Sequence, residues 1–214
     1  MGEIAKFVMH KFYQQAAGHP EKLPWHREEP AALLRKVIYA RAARRRALDV
    51  GCGAGVFTVW LAQAGMETVG IDIFPEAIAM ARARAQEAGI DVTLITADLF
   101  EYSTDRPFDL VFDSGCLHSL VGGDPRRYGE QLLQWLAPGA DYVLEHWGKR
   151  HVLDWRPIGP RRRSENTIRK MFAPELELRE SVAVDFKTPF PFGPIVRGGG
   201  YWFTRHSAAS ATSN

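Results

Sequence analysis

Three closely spaced glycines follow a short apolar segment near position 50, and this pattern is the strongest chemical signal in the chain. Residues 47–50 are predicted to form a buried strand, which Gly51, Gly53 and Gly55 follow at once. Glycine suits positions where the backbone needs a positive φ or where a ligand must approach without a Cβ in the way. A strand, a glycine turn and a helix start together predict a binding corner for a nucleotide-like ligand.

The spacing of these glycines separates two kinds of nucleotide site. In the dinucleotide fingerprint G-x-G-x-x-G, the third glycine would stand at position 56. This chain has Val56 there, and its third glycine comes one residue earlier. Asp49, just before the turn, also departs from the dinucleotide pattern. The alternative is an ordinary turn between a strand and a helix.

Three acids stand at the ends of the strands predicted next along the chain: Asp72, Asp98 and Asp113. A carboxylate only accepts hydrogen bonds, so Asp72 is suited to the two hydroxyl donors of a ribose. A surface acid at a strand end is the alternative for Asp72. For Asp113, the alternative is that it caps the turn that follows it.

Strand and helix signals alternate over residues 46–147, which predicts an α/β fold with a parallel, doubly wound sheet and helices on both faces. A helix is also predicted over 3–17, with Ile4, Phe7, Val8, Phe12 and Ala16 on one side. We expect one domain, since 214 residues are comfortable for one sheet of this type. Its expected parts are N-terminal helices and a lid segment (1–45), the core (46–206) and a flexible tail (207–214), with substrate-side insertions near 148–163 and 187–200.

The glycine turn and the acids together resemble class I S-adenosylmethionine (SAM) methyltransferases, over about residues 46–147. The resemblance implies a Rossmann-like sheet of seven strands whose last strand is antiparallel. It also implies SAM as cofactor, S-adenosylhomocysteine as product, and adenine and methionyl contacts around the glycine turn. The cofactor contacts it implies are Trp25, Asp49, Gly51, Cys52, Gly53, Gly55, Asp72, Ile73, Asp98, Leu99, Asp113 and Ser114.

A finer resemblance involves Pro24-Trp25 and the segment 113–119, which look like the thiopurine-methyltransferase-like branch. That branch acts on small molecules and folds its tryptophan segment over the cofactor. Trp25 would then cover the adenosine, since a flat apolar ring packs against it and excludes water. The alternative is a core tryptophan that anchors the N-terminal helix.

Methyl transfer from SAM needs positioning and the exclusion of water, so we expect direct in-line displacement without a covalent nucleophile. His118 is a candidate to orient or deprotonate the acceptor, and Asp113 is a second candidate catalytic residue. The alternative for His118 is a packing or hydrogen-bonding role. Glu145 either neutralises an amine substrate or pairs with Lys149 or Arg150.

Composition excludes several other classes of function. The net charge is +2 and no apolar run is of membrane-spanning length, so neither nucleic acid nor a membrane is expected as a partner. Two cysteines make no disulfide framework, and no oxygen ligands accompany Asp113, so no metal is expected. A cytoplasmic enzyme acting on a small-molecule acceptor is the simplest setting, and the sequence leaves the oligomeric state open.

Two other functions compete with methyl transfer. An NAD-dependent oxidoreductase would use the same corner and Asp72, although Val56 replaces its third glycine. A non-catalytic SAM-binding protein would carry the same motifs, because they predict binding rather than turnover.

Overall fold

The computed structural model describes residues 2–40, 45–148, 161–187 and 195–207. The strands are β1 (Arg46–Val50), β2 (Glu67–Asp72), β3 (Thr93–Thr96), β4 (Phe108–Ser114), β5 (Leu136–Trp147), β6 (Leu176–Lys187) and β7 (Ile195–Arg205). The helices are α1 (Glu3–Ala16), α2 (Ala32–Ala40), α3 (Val56–Gln63), α4 (Pro75–Ala88), α5 (Asp124–Trp135) and α6 (Glu165–Phe172). Short 3₁₀ turns lie at Pro20–Lys22 and Leu117–Ser119.

The seven strands form one sheet in the order β3-β2-β1-β4-β5-β7-β6. Strands β1 to β5 pair in parallel, and β7 runs antiparallel to both β5 and β6. This architecture confirms the predicted doubly wound sheet with an antiparallel end. The chain leaves β1 toward β2 on one side and reaches β4 on the other, so a crevice opens beyond the carboxyl ends of β1 and β4.

Helices cover both faces of the sheet, which is why the central strands are almost continuously apolar. On one face, Phe112 belongs to the same buried cluster as Leu34 of α2. On the other face, Val111 belongs to a cluster with Tyr128 and Trp135 of α5. Burial of each such side chain stabilises the fold by about 1.5–3 kcal/mol. These two layers hold the carboxyl ends of the strands in place.

The predicted N-terminal helix is present, but it turns a different face to the protein than its apolar pattern indicates. Ile4 is 83% exposed and Phe7 is 63% exposed. Val8 and Phe12 are also exposed, at 44% and 37%. Of the predicted side, only Ala16 is buried, and it lies with Tyr13 in a cluster that includes residues of α4. Helix α1 is therefore anchored mainly by the large aromatic side chain of Tyr13, and most of its predicted apolar side faces outward.

The prolines and the glycine run of the predicted insertion 187–200 also predict a loop there, and this prediction is wrong for the second half of the segment. Strand β7 begins at Ile195 and includes the glycine run Gly198–Gly200. A Cβ built on Gly198 would lie 2.3 Å from the carbonyl oxygen of His146 on β5. The glycines thus permit close approach of two strand backbones rather than breaking the strand. Residues 149–160, 188–194 and 208–214, which hold most of the predicted insertions and the tail, lie outside the described residues.

Candidate active site

The glycine turn lies at the carboxyl end of β1, with all three glycines in the left-handed region. Their φ angles are +68° at Gly51, +54° at Gly53 and +76° at Gly55. Gly55 also packs tightly on α4, because a Cβ there would lie 2.7 Å from the Cβ of Ala81. Cys52, which is buried, donates its backbone N–H to the carbonyl of Ile71 on β2 over 2.9 Å. The turn is therefore held from below by a strand and from the side by a helix.

Asp72 ends β2 and binds the glycine turn directly. Its Oδ2 accepts the N–H of Gly53 at 2.9 Å, and its Oδ1 accepts the N–H of Phe74 at 3.0 Å. Burial raises the pKa of this carboxyl group to about 6, while these backbone hydrogen bonds lower it. Each carboxylate oxygen keeps a second lone pair, so Asp72 can still accept two hydroxyl donors. The next residue, Ile73, is partly buried beside Phe74.

Tyr13 of α1 is a residue of this corner that sequence reasoning missed. It is buried, and a Cβ on Gly53 would lie 3.5 Å from its hydroxyl oxygen. Its ring packs on Phe74 with a centroid distance of 5.3 Å. Trp25, which was expected to cover the cofactor, packs edge-on against Tyr13 at 5.7 Å and is 38% exposed. Tyr13 therefore forms the layer next to the turn, and Trp25 forms an outer layer.

Asp49 and Asp98 make local contacts within the fold. Asp49 is buried and accepts a 2.6 Å hydrogen bond from the Thr58 hydroxyl, which ties β1 to α3 beneath the turn. Burial raises the pKa of Asp49 to about 7. The hydrogen bond from Thr58 lowers this pKa, and the negative charges of the nearby acids raise it. Asp98 is half-buried, and its Oδ1 accepts the N–H of Phe100 at 2.9 Å. Leu99 packs against the main core cluster.

Asp113 organises the turn that follows β4. Its Oδ1 accepts the N–H of Cys116 at 2.7 Å, and its Oδ2 accepts the N–H of Leu117 at 3.0 Å. The hydroxyl of Tyr128 on α5 donates to Oδ2 at 2.8 Å. Asp113 is fully buried, and burial raises its pKa to about 6. These contacts favour the capping alternative over a direct catalytic role.

Ser114 and Glu145 lie side by side at the ends of β4 and β5, where they bind Arg27. The Ser114 hydroxyl donates to Glu145 Oε2 at 2.8 Å, and Arg27 Nη2 donates to Ser114 Oγ at 3.0 Å. Arg27 also pairs with both Glu145 oxygens, from Nη1 at 3.4 Å and through a shorter contact from Nη2. The expected partners Lys149 and Arg150 lie outside the described residues. Arg27 gave no signal in the sequence, because 118 positions separate it from Glu145.

His118 lies at the same rim, beside His146 and Trp147. Its ring centroid is 5.8 Å from that of His146 and 5.4 Å from that of Trp147. Burial and the charge of Arg163 lower the pKa of His118 to about 3, so the ring is neutral near pH 7. Its Nδ1 is buried and has no hydrogen-bond partner among the described residues. Arg163 donates to His146 Nε2 at 2.8 Å, so His146 Nδ1 carries the proton and donates to the carbonyl of Trp147.

Comparison with known proteins gives this geometry a family. Residues 47–139, from β1 into the start of β5, match the family model described as a methyltransferase domain. The ubiquinone biosynthesis O-methyltransferase of Pseudomonas entomophila is 32% identical over 174 residues, which cover 73% of this chain and 72% of that protein. The chain belongs to the SAM-dependent methyltransferase family. The predicted cofactor, SAM, is therefore confirmed for the family.

Two further relatives of this methyltransferase-family chain show how far the likeness extends. The 2-heptyl-1-hydroxyquinolin-4(1H)-one methyltransferase of Mycobacteroides abscessus is 32% identical over 133 residues, which cover 61% of this chain and 57% of that protein. The magnesium protoporphyrin IX methyltransferase of Synechocystis PCC 6803, solved with S-adenosylhomocysteine, has a TM-score of 0.68 at 17% identity and covers 94% of this chain and 99% of that one. This chain spans about half the length of several curated relatives, between 47% and 57% for three of them.

The residues of this methyltransferase-family chain fit the cofactor at the glycine turn. Gly51 and Gly53 present backbone without Cβ atoms, and the Asp72 carboxylate retains acceptor capacity beside them.

Cys52 and Cys116 are free thiols, and burial raises the pKa of each well above its ordinary value, so neither is suited to redox chemistry.

The parts of the chain that the structure describes contain neither a cluster of metal ligands nor a membrane-spanning helix. Across residues 2–40, 45–148, 161–187 and 195–207, no three His, Cys, Asp or Glu side chains are grouped as a metal site. Within the same ranges, each helix is too short or too polar to span a bilayer.

Proposed function

We propose that this chain transfers the methyl group of SAM to a small-molecule acceptor by direct in-line displacement, with S-adenosylhomocysteine as product. One observation carries the proposal. The Asp72 carboxylate binds the glycine turn at the point where the strand order reverses. A hydrogen-bond acceptor for the ribose hydroxyls therefore lies beside a backbone turn that a ligand can approach closely.

The residues around this corner divide the work of binding. Gly51, Cys52, Gly53 and Gly55 would form the wall for the methionyl part, and Asp72 would accept the ribose hydroxyls. The adenine would lie among Ile73, Asp98 and Leu99, and Tyr13 with Trp25 would exclude water above it. When bound, SAM supplies a sulfonium whose methyl group is already electrophilic.

We infer that His118 and Asp113 position the acceptor end of the site. A histidine with a pKa of about 3 is a weak base near pH 7, and its neutral ring suits hydrogen bonding to an acceptor instead. Asp113 fixes the turn that carries His118, since its oxygens bind the backbone of that turn. Asp49 supports the glycine turn from beneath through Thr58.

The acceptor is proposed to be a small organic molecule. Two curated relatives are named as a 2-heptyl-1-hydroxyquinolin-4(1H)-one methyltransferase and a ubiquinone biosynthesis O-methyltransferase, and these names support a small organic acceptor. Membership of the thiopurine-methyltransferase-like branch, a cytoplasmic location and the division into parts 1–45, 46–206 and 207–214 stay predictions. Nucleic acid is not proposed as a substrate.

Calorimetric titration with S-adenosylhomocysteine tests the assignment of Asp72. We expect Asp72→Ala to weaken binding by about 1–3 kcal/mol, because ribose hydroxyls lose a buried partner. Asp109→Ala is the matched control, since Asp109 also accepts two backbone N–H groups, from Arg45 and Arg46 at 2.9 Å each, at the opposite end of the sheet. Equal affinity in wild type and Asp72→Ala would contradict the ribose assignment.

Two further measurements separate the competing functions. S-adenosylhomocysteine, and not NADH, should raise the melting temperature, because only a ligand of the native state stabilises it. Transfer of labelled methyl from SAM to a panel of cyclic hydroxyl, thiol and amine compounds tests turnover. Tight binding without transfer across the panel and a cell extract would favour a non-catalytic SAM-binding protein.

A further inference from the structure

A single guanidinium, that of Arg27, is enclosed by four groups with the chemistry of a cation-binding site. We call Ser114, Glu145, Phe57 and Phe186 the cation box. The carboxylate and hydroxyl of the box bind the Arg27 nitrogens. The Arg27 guanidinium carbon lies 5.0 Å from the ring centre of Phe57 and 5.9 Å from that of Phe186. A buried carboxylate flanked by two aromatic faces is well suited to a cation.

The cation box requires a positive charge because its acid, Glu145, is buried away from water. The Glu145 side chain is 2% exposed, whereas that of Arg27 is 31% exposed. A buried carboxylate without a cation is strongly destabilising. The box also lies at the carboxyl ends of β4 and β5, beside the crevice where the glycine turn of β1 is proposed to hold the cofactor. It therefore occupies the acceptor end of the proposed site.

Arg27 is the one member of this arrangement that the sheet and α3 do not hold. It lies in the irregular stretch between the turn at Pro20–Lys22 and the start of α2. Trp25, two positions earlier, packs on the Tyr13 layer that covers the glycine turn. A cofactor that entered beneath this layer would displace Trp25, and Arg27, two positions later on the same irregular stretch, is placed to move with it.

We propose that the cation box binds a positively charged group of the methyl acceptor, such as an amine, amidine or guanidine, and that Arg27 fills the box in its absence. This inference rests on the proposed methyl transfer, because it assigns the box to that reaction's second substrate. Trp147 extends the apolar wall, with its ring 6.5 Å from that of Phe186. The acceptor is accordingly a cation attached to an apolar or aromatic body.

Chemical rescue tests whether the box takes a free cation. In Arg27→Ala, Glu145 loses its cationic partner, and millimolar benzylammonium should raise the melting temperature in a saturable manner. Lys36→Ala is the matched control, because Lys36 forms a 2.7 Å ion pair with Glu180 on the exposed surface, without an aromatic enclosure. The double variant Arg27→Ala/Glu145→Gln removes both charges, so it should fold and give no response.

Competition with the native side chain tests whether Arg27 is a replaceable occupant. Without S-adenosylhomocysteine, benzylammonium should bind Arg27→Ala about tenfold more tightly than wild type, since Arg27 occupies the box of the cofactor-free protein for most of the time. Neutral benzyl alcohol should show no such difference. If benzoate binds wild type in preference to benzylammonium, Arg27 recognises an anion and the inference is overturned.

The outcomes separate this inference from the proposed function. Binding of S-adenosylhomocysteine without any saturable response of Arg27→Ala to benzylammonium would overturn the cation box alone. Absence of S-adenosylhomocysteine binding in wild type would overturn the proposed function, whatever the cation does. Should Arg27→Ala fail to fold, equal binding of benzylammonium by wild type and Glu145→Gln would refute the box.

Discussion

Substitution of Gly55 by alanine tests the claim that the glycine turn is shaped by its contact with α4. Gly55 has a φ of +76°, which costs an L-residue about 1–2 kcal/mol. The new Cβ would lie 2.7 Å from the Cβ and 2.9 Å from the Cα of Ala81, and overpacking of this kind costs about 1–3 kcal/mol. Together these terms predict a loss of about 2–5 kcal/mol in the free energy of unfolding.

Gly89→Ala separates the two terms, because it has the same backbone demand in open surroundings. Gly89 ends α4 with a φ of +64°, and a Cβ there would meet no atom within 4 Å. We therefore expect Gly89→Ala to lose only the backbone term, about 1–2 kcal/mol. Urea unfolding of both variants and wild type measures the difference, and Ala81→Gly in the Gly55→Ala background should recover part of it.

The same variants also connect the turn to binding. Relief of the clash must move the turn away from α4, and its backbone would then shift relative to Asp72. Calorimetry should show weaker S-adenosylhomocysteine binding by Gly55→Ala and unchanged binding by Gly89→Ala. If the two variants were equally stable, the contact with Ala81 would not shape the turn and the reasoning would be refuted.

Two more substitutions test the rim of the site. Gly198→Ala should destabilise the protein by about 1–3 kcal/mol, since its Cβ would lie 2.3 Å from a β5 backbone oxygen, whereas Gly123→Ala, with open space around it, should be nearly neutral in urea unfolding. The pKa of His118 is about 6.5 in the unfolded chain and about 3 in the folded protein. Below pH 6.5 the unfolded state therefore binds a proton that the folded state does not. The contribution of His118 to the free energy of unfolding is present above pH 6.5 and is lost as the pH falls toward 3. Wild type should therefore lose up to about 1.4 kcal/mol more per pH unit than His118→Gln between pH 6 and 4, and parallel curves would contradict the burial of this ring.

The features of the site that could be predicted are those encoded within a short stretch of chain. The strand, turn and helix from β1 through Gly55 to α3 can be predicted because apolar residues, glycines and helix formers follow one another directly. Asp72 ends the next strand for the same reason. The parallel order of β1, β2 and β3 follows from their alternation with α3 and α4, since a crossover connection is needed to start each new strand at the same edge of the sheet.

The features that could not be predicted depend on contacts between distant segments. The α1 stripe of Ile4 and Phe7 indicates a buried face, yet the helix docks through Tyr13 because that ring reaches the glycine turn. The glycines near 198 look like a loop, but they permit two strands to approach. The capping contacts of Asp113 are local and were open to prediction, but the hydroxyl of Tyr128 that also binds this acid arrives from α5.

The sequence by itself determined the parallel part of the sheet, the glycine turn and the family, because each depends on local backbone chemistry and on the order of elements along the chain. Only the tertiary structure decided which side chains cover that corner and which charges meet at the ends of β4 and β5. Arg27 and Glu145 meet across 118 positions, and nothing in either neighbourhood specifies the other. Packing of the whole molecule selects such partners, because a buried acid must find its cation wherever the fold brings one.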